Sequence, residues 1–115
     1  MRHAHARHML ALTLACAAVG WVCGGTPAAL NRAPTNEQVI RQVFGVYGSQ
    51  AVAVARCESG LSVWASNGQY LGAFQMGNYA RARFGHGSDI WTQARAAYRY
   101  FVASGRDWSP WTCRP

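Results

Sequence analysis

Lysine is missing from this sequence and carboxylates are few: Glu37, Glu58, Asp89 and Asp107 stand against eleven arginines. Any acid–base chemistry by a carboxylate must therefore use one of those four residues. Histidine is almost as scarce, with only His86 beyond residue 8. A zinc site, which takes about four Cys, His or carboxylate ligands, has too little to build on, so no metal and no cofactor are expected. No apolar run reaches the roughly 18 to 20 residues that a membrane-spanning helix needs. Charged residues make up 13% of the chain and hydrophobic ones 50%, the reverse of a disordered composition. With 115 residues there is room for one small domain and not for a multidomain enzyme.

The longest apolar run, Met9 to Val22, follows Arg2, Arg7 and three histidines and precedes a cluster of small residues. That is the pattern of a secretory signal peptide. Cleavage after Ala28 is expected, with Gly25 and Ala29 as alternatives, leaving residues 1–28 as signal and 29–115 as the mature domain. Cys16 follows Thr13-Leu14-Ala15, a weak lipid-attachment box. Acylation there would leave the apolar stretch Ala17 to Val22 at the new terminus, which disfavours a lipoprotein. The mature part keeps a net charge of about +5 over roughly 87 residues, which suits an anionic partner or simply aids solubility. Nucleic acid is not expected, because no helix pairs an Arg-rich face with a groove-reading motif. An anionic cell-envelope polymer fits a secreted chain better.

Of the four cysteines, Cys16 and Cys23 fall in the signal, which leaves Cys57 and Cys113. In an oxidising compartment such a pair bridges. The closed loop of about 56 residues corresponds to roughly 4 kcal/mol in the chain-entropy model, a large share of the stability of so small a domain.

Thr35 reads as a helix N-cap with Gln38 as its reciprocal partner, and Val39, Ile40, Val43 and Phe44 follow at helical spacing. Gly45 to Gly48 ends this helix. Ser49 then reads as an N-cap for a helix over Gln50 to Glu58. Its Ala51-Val52-Ala53-Val54-Ala55 run is apolar on every side, so it is a buried helix or a core strand, and the alanines favour helix. Ser59 and Gly60 stop it. Ser66-Asn67-Gly68 marks a turn, and Gln69 to Met76 reads as an extended, partly buried segment that forms a small hairpin or an irregular lining. A short helix is predicted over Asn78 to Phe84, ended by Gly85. A long helix starts at Ser88 or Asp89, with Ile90, Trp91, Ala94, Ala97, Tyr98, Phe101 and Val102 as its apolar stripe and Gly105 as its stop. The fold class is mainly α: a compact domain with one short extended excursion and one disulfide. Trp108 and Trp111 pack the tail around the bridge.

Glu58 stands out. It ends the most buried helix beside a bridged cysteine, where desolvation, the negative end of the helix dipole and the lack of a cation on its own face would all raise its pKa. A carboxylic acid kept protonated near neutral pH can donate to a glycosidic oxygen. The plainer alternative is a solvated helix-terminal Glu, or one paired with Arg56 or another arginine.

The run Cys57-Glu58-Ser59-Gly60, then Asn67 to Met76, Gln93 to Phe101 and Trp108 to Cys113, resembles the actinobacterial branch of lysozyme-like transglycosylase domains. The catalytic domains of resuscitation-promoting factors are close to this pattern, and the match spans about Val39 to Cys113. The resemblance implies a goose-lysozyme-like fold that cleaves peptidoglycan between N-acetylmuramic acid and N-acetylglucosamine, as a lytic transglycosylase or a muramidase. It further implies that Glu58 is the general acid, that Ser59 bonds near the carboxylate or caps the helix, and that Gln75 binds sugar. Gly72-Ala73-Phe74-Gln75 stands where the family has Gly-Leu-Met-Gln. Tyr98 lies in Ala97-Tyr98-Arg99, where the family has Ala-Tyr-Asn, so Arg99 stands in place of that Asn and Tyr98 serves either substrate or core. Trp64 and Tyr70, on the turn-rich segment after Glu58, are the aromatics placed to stack on a pyranose ring.

A second carboxylate would have to lie about 5 to 10 Å from Glu58 to act as nucleophile or base. Glu37 and Asp89 sit at helix starts and read as caps. Asp107 is tethered by the bridge to within about 20 Å of extended chain. The family implies that one Glu acts first as acid and then as base toward the muramyl 6-hydroxyl, with hydrolysis by water as the close alternative. The partners expected are peptidoglycan strands, with no stable membrane association after signal removal and a monomeric state in the cell wall or outside the cell. A non-catalytic wall-binding or signalling module on the same fold is the competing expectation.

Overall fold

A computed structural model describes residues 31–115, so the signal expected over residues 1–28 lies outside the described residues. The domain is mainly helical, with one small hairpin and one disulfide. Among the described residues no helix is long and apolar enough to cross a membrane.

Thr35 starts helix α1 (Asn36–Phe44) as the sequence predicts. Its hydroxyl accepts from the Gln38 amide at 3.2 Å while its own N–H donates to Gln38 Oε1 at 2.9 Å. Val39, Ile40 and Phe44 form the buried face. On the outer side Glu37 pairs with Arg41 at 2.8 Å and with Arg56 at 3.0 Å. The hydrogen bond from Arg41, with both positive charges close by, holds the Glu37 carboxyl below its ordinary pKa.

A 3-10 turn (Gly45–Tyr47) leads directly into α2 (Gly48–Ser59). Ser49 is therefore not the N-cap expected of it. It lies in the first turn of α2, and its hydroxyl accepts from Arg41 Nη1 at 2.9 Å. The 3-10 turn passes its backbone bonding on, Gly48 N–H to Gly45 O, so the helix continues an existing turn and needs no side-chain cap. Gly48 is required by proximity, since a Cβ there would sit 3.0 Å from Arg41 Cα. The Ala/Val run is helix, burying Ala51, Val52, Val54 and Ala55 while Ala53 faces out. α1 packs against both α2 and the last helix.

Strands β1 (Ser66–Asn67) and β2 (Tyr70–Leu71) form the hairpin, with Ser66 opposite Leu71 and Asn67 opposite Tyr70. The extended segment expected over Gln69 to Met76 is limited to Tyr70–Leu71. Gly72 at φ +79 and Gln75 at φ +46 turn the chain instead. Leu71 and Met76 close that turn through backbone bonds of 3.2 and 3.1 Å. The turn places Ala73 and Phe74 fully inside the core.

Helix α3 (Asn78–Phe84) ends at Gly85, and α4 (Ile90–Ala103) starts from Asp89, whose carboxylate accepts from the Thr92 amide at 3.0 Å. On α4, Ala94, Ala97 and Phe101 are buried as the stripe predicts, whereas Ile90, Trp91, Tyr98 and Val102 are half-buried. Ala96 and the polar Gln93 are buried as well. Gln93 belongs there because its amide bonds completely. Oε1 accepts from Ala73 N–H at 2.9 Å, while Nε2 donates to Val63 O at 3.1 Å and to Gly87 O at 2.9 Å. One side chain thus satisfies backbone groups of three loops that have no helix or strand to bond to.

The core is aromatic. Phe44 lies between Phe74, Tyr98, Phe101 and Trp108 with ring centroids 5.3 to 5.9 Å apart. Trp108 and Trp111 are both buried, and each indole N–H is satisfied, by Gln50 Oε1 at 2.8 Å and Phe74 O at 3.0 Å. The Cys57–Cys113 disulfide, with Cα atoms 6.0 Å apart, ties this tail to the end of α2.

Reducing the bridge should lower stability by roughly 4 kcal/mol, read as a fall in Tm under thiol reductant. An unchanged Tm would show that it contributes nothing. Gln93→Leu, which keeps the volume but strands three backbone groups, should cost about 3 kcal/mol in urea unfolding, and a loss below about 1 kcal/mol would refute the role given to its amide.

Candidate active site

Glu58 occupies the last turn of α2, one residue before the helix ends, and its side chain is half-buried. Gly60 takes a left-handed φ of 65°, and its N–H bonds back to Arg56 O at 2.9 Å, which terminates the helix and sends the chain away. The Glu58 carboxylate does not pair with Arg56, which binds Glu37 instead. Its Oε1 accepts from the backbone N–H of Cys113 at 2.9 Å, a bond across 55 residues made possible by the adjoining disulfide. Among the described residues Oε2 has no partner.

Glu58 forms one wall of a cleft of about 240 Å³ whose other walls are Asn67, Tyr70, Gln75, Pro110, Trp111 and Thr112. Three parts of the chain meet there: the end of α2, the hairpin with its following turn, and the bridged tail. A second cleft of about 200 Å³ shares Tyr70, Gln75, Pro110 and Trp111 with the first and adds Tyr79 and Tyr100. Together they form a furrow with a carboxylate at one end and aromatic rings along it. Tyr70 is half exposed and Tyr79 stands 73% exposed, so both rings offer free faces.

Of the residues singled out from sequence, Tyr70 and Gln75 join Glu58 at the cleft. Gln75 Nε2 donates to Ala65 O at 3.2 Å and Gly72 O at 3.0 Å, which fixes the side chain and leaves Oε1 without a protein donor among the described residues. Ser59 serves the backbone: its Oγ lies 3.1 Å from Ala55 O and 2.7 Å from Ala73 O, and it accepts from Ser62 N–H at 3.1 Å. It helps end the helix and holds the Ala73 turn behind Glu58, and it is not part of the cleft wall. Trp64 is 80% exposed but lines a different cavity, with Val63, His86 and Gln93. Tyr98 packs edge-on against Phe44 at 5.3 Å, so its ring belongs to the core.

The remaining carboxylates stay away from the cleft. Asp107 accepts from the Ser109 N–H, and its bonds to Ser109, aided by the charge of Arg114, lower its pKa. Asp89 is occupied with Thr92, whose backbone and side-chain bonds lower its pKa. Glu37 is held by its two arginines. Among the described residues no group of three His, Cys, Asp or Glu side chains is placed to hold a metal ion.

Trp111, Pro110, Thr112 and Asn67 were not picked out from the sequence as site residues. The signal for the first three was the bridge itself: joining Cys113 to Cys57 brings Pro110 to Thr112 beside Glu58. Tyr100, two residues from the expected Tyr98, faces the furrow and contacts Trp111 at 5.1 Å. Comparison of the chain with protein-family models, with curated proteins and with solved structures found no match.

Proposed function

We propose that this chain is a secreted enzyme that cleaves peptidoglycan between N-acetylmuramic acid and N-acetylglucosamine, a lytic transglycosylase or muramidase acting as a monomer in the cell wall or outside the cell, with Glu58 as its single acid and base. The observation that carries this reading is one half-buried carboxylate on the wall of a furrow lined by Tyr70, Gln75 and Trp111. Pyranose faces are apolar and suit such rings, while Gln75 Oε1 and Asn67 offer polar partners for hydroxyl or acetamido groups.

In this reading Glu58 donates its proton to the glycosidic oxygen as the C1–O bond breaks, and the departing sugar leaves as an alcohol. The carboxylate then takes a proton from the muramyl 6-hydroxyl as that oxygen bonds to C1, closing an anhydro ring and restoring the acid. A water molecule attacking in place of the 6-hydroxyl gives hydrolysis with the same proton balance. No other carboxylate of the described residues lines the cleft, which supports one residue serving both steps. The Cys113 amide fixes the carboxylate at one oxygen and leaves the other for the substrate.

The same amide bond also gives Glu58 a structural task, and this favours a second reading in which the furrow binds wall glycan without cutting it.

Glu58→Gln, whose side-chain oxygen can still accept from Cys113, should fold normally and lose wall-lytic activity by about 10³-fold. Equal lysis by the variant would reject the enzymatic reading. Retained binding to insoluble peptidoglycan, with no muropeptides released by the unmodified protein, would establish the binding module. Mass spectrometry of the muropeptides separates anhydro from hydrated ends. Tyr70→Ala should weaken substrate binding about tenfold with little change in stability, whereas Tyr98→Ala should lose about 2 kcal/mol of stability while KM stays the same. The reverse pattern would mean that substrate meets the other face of α4.

A further inference from the structure

Helices α3 and α4 carry four arginines, Arg81, Arg83, Arg95 and Arg99. Arg81 and Arg83 lie in the last turn of α3, where the helix dipole favours positive charge. Arg95 and Arg99 have no such reason. They stand one turn apart on the exposed face of α4, a spacing at which like charges oppose helix formation. No acid pairs with them, since the ion pairs among the described residues are those of Glu37 with Arg41 and Arg56. Both are nonetheless held in place: Arg95 lies 5.3 Å over the Trp91 ring, and Arg99 Nη1 donates to Phe84 O at 2.9 Å. Between them opens a cavity of about 280 Å³, closed by Gly85, His86 and Thr92. His86 Nε2 is buried without a hydrogen-bond partner among the described residues. The one nearby carboxylate, Asp89, is bonded to both the amide and the hydroxyl of Thr92.

We propose that this cavity is an anion-binding site for a phosphodiester-linked polymer of the cell envelope, with Arg95 and Arg99 gripping the phosphate oxygens. A planar guanidinium fixed at one edge still presents its other N–H groups, the geometry that suits phosphate. A repeating polyanion suits it better than a single phosphate because the positive surface continues past the cavity. Arg83, exposed at the end of α3, lies 5.5 Å over the ring of Phe84, whose carbonyl holds Arg99, whereas the Arg81 guanidinium is taken up by Gln69 O, Met76 O and Asn78 Oδ1. The choice of an envelope polymer among polyanions rests on the peptidoglycan reading; the preference for a polyanion does not. Bound here, the polymer would hold the domain on the wall from a surface that shares no lining residue with the Glu58 cleft.

The test is isothermal titration of the oxidised Glu58→Gln chain with soluble poly(glycerol phosphate), beside a neutral dextran, an oligonucleotide and phosphatidylglycerol vesicles. The polymer should bind, about tenfold or more weaker in about 200 mM salt than in about 50 mM. Arg95→Gln with Arg99→Gln should weaken binding at least about tenfold, while Arg32→Gln with Arg106→Gln should leave it unchanged. Arg99→Gln gives up the Phe84 bond, so Arg95→Gln alone, which breaks no hydrogen bond, must also weaken binding, with an unchanged circular-dichroism melt. No polymer binding, equal binding by the Arg95 variants, or equal binding of dextran would overturn the site. Tighter binding of the oligonucleotide or the vesicles would overturn the envelope polymer as its occupant. No cleavage is involved, so an inactive Glu58 leaves each of these outcomes readable.

Discussion

The covalent link between Cys57 and Cys113 joins the last turn of α2 to a tail that has no regular structure of its own. Without the link, the chain after Gly105 would depend on two indole rings and a few backbone bonds to stay in place. With it, the Cys113 amide is brought to the Glu58 carboxylate, Trp111 is pressed between Phe74 and Tyr100, and Pro110 becomes a wall of the cleft. The same crosslink therefore serves the core on one side and the furrow on the other. In so small a domain these roles cannot be assigned to separate layers, because the wall of the site is one side chain thick.

That economy shows at Trp111, which is nearly buried yet lines both clefts. Its N–H is consumed by the Phe74 carbonyl, so it offers the furrow no donor. Ser59 shows the converse: it adjoins the carboxylate in sequence but works on the backbone, locking the turn that carries Gln75. Residues that touch the cleft and residues that hold it open are interleaved along the chain, and adjacency in sequence does not separate them.

Helices are legible in the sequence because their ends carry local chemistry. Thr35 with Gln38, Asp89 with Thr92, and the glycines at 60 and 85 act over three or four residues, and each lies where its side chain or φ demands. Ser49 misled because a capping residue is recognised from the helical residues after it, and the preceding 3-10 turn had already supplied the backbone partners. The turn at Gly72–Gln75 was legible only as irregular chain: the positive φ at Gln75 goes with side-chain bonds to Ala65 and Gly72, and Ala65 lies ten residues away in sequence. Of the residues singled out for the site, Glu58, Tyr70 and Gln75 meet at one cleft: Glu58 was picked out from its helix end, Tyr70 from its turn-rich segment and Gln75 through the family resemblance. Trp64 and Tyr98 were not separable from them, because exposure to a cleft depends on which face a loop or helix turns after packing. Gln93 had no signal at all, since a buried amide in an apolar stripe is recognisable only once the loops it serves are in place.

That amide has a further consequence for motion. Ala73 N–H belongs to no helix or strand, yet it is buried and its acceptor is a side chain rooted in the first turn of α4. Val63 and Gly87 are held from the same root, so none of the three loops can fluctuate far unless the others move with it. Slow hydrogen exchange, ordinarily the mark of regular secondary structure, is therefore expected at the Ala73 amide in irregular chain behind the furrow.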